Sequence, residues 1–103
     1  MHRHGEYKMP GGKLVVADLE IVADRLERLV VSGDFFLDPD EALEAIDAAL
    51  TGLPAATDAA TLAHAVQAGL PAGTTMFGVS AEAIAVAVRR AVGGMPADEA
   101  RPA

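Results

Sequence analysis

The chain of 103 residues contains no cysteine. That absence removes a disulfide scaffold, thiolate-bound zinc, an iron–sulphur site and a thiol nucleophile. It fits a reducing compartment, and a cytoplasmic location is the expectation. Basic residues are also few: eight Lys and Arg stand against fifteen Asp and Glu, for a net charge of −7. Nucleic-acid binding needs clustered cations to displace counterions from phosphates, so no nucleic-acid partner is expected. Long apolar runs are missing too. The longest uncharged one near the C-terminus, Ala83 to Val88, is far too short to cross a bilayer. No apolar stretch follows Met1-His2-Arg3-His4-Gly5-Glu6, so neither a signal peptide nor a membrane partner is expected.

What remains is a globular composition. Hydrophobic residues make up 51% and charged residues 22%. A chain of this length buries roughly 60–70% of its unfolded surface, enough for one modest core but not for a large enclosed substrate pocket as well. We expect one domain over 1–103, ordered over about 7–93, with flexible termini at 1–6 and 94–103.

Tyr7 to Lys13 reads as a loop, because Pro10 restricts Met9 and Gly11-Gly12 accept almost any turn. Leu14 to Val22 alternates, with Val15, Ala17, Leu19 and Ile21 on one side and Asp18 and Glu20 on the other. A period of two is a half-buried strand. Leu26 to Ser32 alternates again, and Ala23-Asp24-Arg25 is the turn of an antiparallel hairpin. Gly33-Asp34 closes it, and Phe35-Phe36-Leu37 is an apolar patch at its exit.

Asp38-Pro39-Asp40-Glu41 predicts a helix start. Asp38 would cap, Pro39 would take the first helical position, and Glu41 would complete a capping box. Leu43, Ile46, Ala49 and Leu50 follow at helical spacing. A second helix is expected from about Thr57-Asp58 to Ala68. Thr74 to Gly78 reads as a short strand from its β-branched and aromatic content. Ser80 caps a third helix whose inner face is Ile84, Val88, Ala91 and Val92. The order strand, strand, helix, helix, strand, helix predicts an α+β fold. It has a small, mainly antiparallel sheet with three helices packed on one face.

Few motifs point to chemistry. Gly11-Gly12-Lys13 fails as a phosphate-binding loop: Leu14 follows the lysine, the spaced glycine is missing, and a strand comes next. Even so, Lys8 and Lys13 are the only lysines in the chain and flank one Pro-Gly-Gly turn. They are either two solvated charges or a pair able to reach an anion. His2 and His4 have the spacing of a metal pair, with no third ligand evident, and read as solvated. His64 reads as a surface histidine. Ser32 and Ser80 lack a nearby histidine, so a nucleophilic triad is not expected. Asp38, Asp40, Glu41, Glu44 and Asp47 are explained by capping and a solvated face rather than by acid–base chemistry. Phe35-Phe36 is half of an aromatic set of three Phe and one Tyr. Either one ring is exposed as a contact surface or both fold under the first helix.

Lys8-Met9-Pro10-Gly11-Gly12-Lys13-Leu14-Val15, then Ser32-Gly33-Asp34-Phe35-Phe36-Leu37 and an acidic helix, resemble the C-terminal accessory domain of lipoate–protein ligases. The resemblance continues through Ala48 to Leu53 and, more weakly, Ser80 to Ile84, and covers about Tyr7 to Val92. It implies a non-catalytic small subunit of a bipartite ligase. The separate catalytic subunit would bind lipoate, ATP and Mg, form lipoyl-adenylate, and pass the lipoyl group to a lysine of a carrier domain. The chain alone would bind no cofactor and form a heterodimer. The resemblance puts Lys8, Pro10, Gly11, Gly12, Lys13, Gly33, Asp34, Phe35 and Phe36 at the interface with that subunit. The fold of that family also looks related to sulphur-acceptor and iron–sulphur scaffold proteins, but a chain without cysteine does not inherit their chemistry. A protein–protein interaction module unrelated to lipoate is the alternative.

Overall fold

The computed structural model describes residues 2–11 and 13–93. Within them the element order is β1 (His2–Lys8), β2 (Leu14–Val22), β3 (Arg25–Gly33), β4 (Phe36–Asp38), α1 (Glu41–Leu50), α2 (Ala59–Gly69), β5 (Thr75–Phe77) and α3 (Ala81–Gly93). The α+β class holds. A three-stranded antiparallel sheet has the order β1-β2-β3, and β4 and β5 form a separate two-stranded sheet.

Two strands depart from the sequence expectation. Residues 2–6 are not a loose terminus but part of β1, paired with β2 from His2↔Glu20 to Lys8↔Leu14. His-Arg-His-Gly-Glu-Tyr-Lys shows no apolar alternation because its inward positions hold Arg3, Gly5 and Tyr7 in place of the aliphatic side chains that would mark a half-buried strand. Its seat on the core is made by Gly5. A Cβ there would collide with Ala87 O and Ala91 N, so the backbone of α3 lies directly on this strand. The second departure is β4, three residues too short to show any period. The expected flexible segment 94–103 lies outside the described residues.

The β2–β3 hairpin forms as expected. Ala23 and Asp24 both have positive φ, 52° and 62°, as a two-residue type I′ turn demands. The inward row of β2 is Val15, Ala17 and Leu19, all fully buried. On β3 the parity changes midway: Leu26 is buried, and so are Leu29 and Val31. The register shifts between Asp18 and Glu20. One extra residue on β3 makes a bulge there, and Arg28 takes φ 51° within it. Neither simple alternation of Leu26 to Ser32 anticipates that.

The helices cover the inward face. α3 packs on β1 and β2, α1 on β3, and α2 on α1 and α3. Ile46, Leu50, Leu62, Val66, Ile84 and Val88 are fully buried between them. Asp58 caps α2 by accepting from Thr61 N at 2.8 Å. Ser80 Oγ accepts from Ala83 N at 3.1 Å at the start of α3. The cap expected for α1 is not made. Asp38 ends β4, Asp40 occupies the cap position, and no side chain bonds the first amides. The carbonyls of Pro39 and Asp40 accept from Ala42 N and Leu43 N instead.

The outer margin of β3 is occupied. Leu26 exchanges bonds with the segment after α1, through Leu53 O at 2.9 Å and Gly52 N at 2.7 Å. Farther along, Val31 N donates to Asp47 Oδ1 of α1 at 3.0 Å.

Candidate functional site

The lysine turn is a tight reversal between β1 and β2. Met9 N donates to Lys13 O at 2.7 Å. The turn delivers both lysines to one end of the sheet, and each is exposed. Pro10 and Gly11 sit at its tip and are exposed as well, while Gly12 lies outside the described residues.

The end of β3 meets the same place. Gly33 has φ 150° and its Cβ position is filled by Leu14 O, so only glycine fits. Asp34 N then donates to Leu14 O at 3.1 Å, which ties the exit of β3 to the first residue of β2. Phe35 is half-buried against the core and lies over Gly33. Phe36 points outward and is 63% exposed. Of the two alternatives for the Phe pair, the structure has one ring exposed, Phe36, and the two do not fold together under α1.

Phe36 is not alone. In β4–β5 it stands opposite Phe77, and the rings stack with centroids 4.6 Å apart and planes 19° off parallel. Phe77 is itself 43% exposed. The methylenes of Lys13 lie beside the next residue, with Cγ 3.2 Å from where a Cβ on Gly78 would stand. The candidate surface thus joins Lys13, Gly33, Phe36, Phe77 and Gly78. Residues on three separated segments converge there. Phe77 and Gly78 had no place among the sequence candidates. The one clue was that Phe77 is the sole aromatic in the segment read as a short strand. An exposed aromatic pair beside a cation is the composition of a protein-contact surface rather than of a catalytic pocket.

The other candidates fall elsewhere. His64 is exposed on α2, where with Glu82 it lines a shallow groove of about 390 Å³ whose lining is half alanine. Asp47 is half-buried. Desolvation raises its pKa to about 6, against the opposing pull of the Val31 N–H bond. His2 and His4 gain partners the sequence did not reveal. His4 Nδ1 lies 2.8 Å and His2 Nε2 2.9 Å from Asp18 Oδ1, and His4 Nε2 lies 2.6 Å from Glu6 Oε2. Among the described residues, no group of three or more His, Asp or Glu side chains is arranged to hold a metal ion. No helix there is long and apolar enough to cross a membrane.

No protein-family model matches this chain, and neither does any curated protein. A solved structure does share its fold. It comes from an archaeal lipoylation system, a bi-partite lipoate protein ligase and its E2 lipoyl domain from Thermoplasma acidophilum. The superposition has a TM-score of 0.69 at 21% identity and covers 86% of this chain and 96% of that one. At that identity the likeness is one of fold.

Proposed function

We propose that this chain is the non-catalytic accessory subunit of a two-component lipoate–protein ligase. The carrying observation is convergence at one end of the molecule. Lys8 to Val15 and Ser32 to Leu37, two of the segments that resemble the accessory domain, meet through the Asp34–Leu14 bond. They do so beside an exposed stack of Phe36 and Phe77. A fold shared with a chain of a lipoylation system supports the reading.

In this reading the chain closes the catalytic subunit. An acyl-adenylate hydrolyses readily, and excluding water both preserves it and strengthens the field around its phosphate. The Phe36–Phe77 stack would fill an apolar recess of the catalytic subunit. Lys8 and Lys13 would face anionic groups of that subunit or of its ligand. Lipoate, ATP and Mg belong to the complex, and this chain by itself binds none of them. The lipoyl carrier domain receives its acyl group from the catalytic subunit, so its contact with this chain is indirect. The setting is the cytoplasm.

A second reading rests on the same turn. The chain's two lysines are both exposed beside one reversal, and a lipoyl acceptor also presents an exposed lysine. The test is lipoate-dependent release of pyrophosphate from ATP by the candidate catalytic subunit, with and without this chain. Activity switched on by the chain supports the accessory role. Lys13→Ala should then lower it, and Phe36→Ala should weaken assembly by about tenfold, as loss of one aromatic anchor does. Equal activity without the chain refutes that role and leaves an interaction module with another partner. A lipoyl mass increment on Lys8 or Lys13 identifies an acceptor instead.

A further inference from the structure

The outward face of the three-stranded sheet carries a side-chain cluster that the accessory role does not use. His4 of β1 stands between two carboxylates, with Nε2 2.6 Å from Glu6 Oε2 and Nδ1 2.8 Å from Asp18 Oδ1. The same Asp18 oxygen lies 2.9 Å from His2 Nε2. The helices lie on the opposite face, so among the described residues this cluster is framed by strands alone.

A carboxylate only accepts hydrogen bonds. A ring nitrogen facing one must therefore carry a proton. His4 faces one carboxylate with each nitrogen, and both bonds are satisfied together only by the doubly protonated ring. A neutral ring keeps one donor and turns a lone pair toward the other carboxylate. We propose that His2, His4, Glu6 and Asp18 form a proton-dependent latch that fastens β1 to β2, closed while His4 is an imidazolium and slackened when it loses a proton to solvent.

The location gives the latch something to control. Among the described residues β1 is the marginal strand of its sheet and pairs with β2 alone. Asp18 sits near the middle of β2, opposite His4 in the register, so the tie crosses the strand pair at its centre. Lys8 ends the same strand, so the firmness of β1 sets how firmly the lysine turn is held. The inference does not depend on the accessory-subunit reading.

The surrounding charges are few. Glu20 of β2 stands opposite His2, and Lys8 closes the outward row of β1. From β3, Glu27 faces Glu20, and Arg28 Nε lies 3.9 Å from Glu20 Oε2. Arg28 thus answers Glu20, while Glu6 and Asp18 are answered by the histidines. The balance moves both partners as the latch requires. The bonds to Glu6 and then to Asp18 raise the pKa of His4 above its ordinary 6.5, overcoming its partial desolvation. Desolvation would raise that of Asp18, but the bonds from His4 and His2 win and hold it below the ordinary 3.8. For His4 the sign follows directly. Its contribution is complete below pH 6.5 and is lost as pH rises through its raised folded value.

The test is amide hydrogen exchange by NMR from pH 6 to 9, corrected for intrinsic rates, with β3 amides as internal reference. Imidazole resonances of His4 are followed in the same samples. The expected result is a loss of β1 protection that tracks the His4 titration. Its size is tenfold for each unit separating the folded and unfolded pKa. His4→Gln, which does not titrate, should remove the pH dependence. Asp18→Asn, which keeps the shape but not the charge, should shift the loss to lower pH. Protection of β1 that parallels β3 across the range overturns the proposal. So does a pH-dependent loss that survives in either variant unchanged.

Discussion

Gly5→Ala is the sharpest probe of how β1 meets α3. Two effects oppose each other. Replacing glycine by alanine within a strand ordinarily stabilises by about 0.5–1 kcal/mol, because the unfolded chain loses freedom. Here the new methyl would be driven into Ala87 O and Ala91 N and would stand 2.9 Å from Ala91 Cα. All three are backbone atoms of one helix, so no side chain can swing away. Helix and strand must separate, and the tight seam between Ala87, Ala91 and β1 opens. Overpacking of this kind costs about 1–3 kcal/mol, and rigid backbone on the receiving side places the cost near the upper limit. The net loss is then about 2 kcal/mol, or roughly 8–16 °C in Tm for a domain of this size. The assay is thermal unfolding followed by circular dichroism. Gly93→Ala is the control, because no described residue lies within 4 Å of its Cβ position. If Gly5→Ala melts at or above the wild-type temperature, the contact between α3 and β1 is not as described.

Two further outcomes follow from local chemistry. The raised pKa of Asp47 means that its ionised form is the less stable one in the folded chain, so its contribution is complete below pH 3.8 and lost as pH rises through about 6. Asp47→Asn keeps an acceptor for Val31 N, so the variant should be more stable than wild type at pH 7.5 in denaturant titration. That advantage should fade by pH 3.5, and an equal gain at both would show that charge is not the cause. At the hairpin turn, Ala23 holds φ 52°, a left-handed conformation that costs a non-glycine residue roughly 1–2 kcal/mol. Ala23→Gly should recover part of that and raise Tm by a few degrees, and a drop in Tm would argue against a type I′ turn.

The parts of the fold visible in the sequence are those whose cause is local. Val15, Ala17 and Leu19 alternate because one face of β2 is buried. Asp58 and Ser80 announce helices because each accepts from an amide three residues on. The parts that stayed hidden depend on distant chain. β1 carries polar side chains, and what makes it a strand is the helix pressed against Gly5. The bulge at Arg28 has no signature in a run of Leu, Arg and Val. Asp38 has the right neighbours for a cap, yet pairing of β4 with β5 commits it to a strand. The candidate surface divides in the same way. Lys8, Lys13, Gly33 and Phe36 were legible as unusual residues in two segments. Phe77 was not, because its meaning comes from a ring forty-one residues earlier in the chain.

The sealed margin of β3 decides how this protein can associate through its backbone. Leu26 already spends its N–H and C=O on the segment after α1, and Val31 spends its N–H on Asp47. A strand arriving from another molecule therefore finds these groups already taken on that side of the three-stranded sheet, which interrupts the template it would pair with. At the other margin Arg90 clasps one carbonyl, Glu6 O, at 3.0 Å, and a released Arg90 would bare β1. Growth through this sheet then has a built-in stop. Two copies joined β1 to β1 would present only their sealed sides, and the addition would end at a pair instead of running on into a fibre.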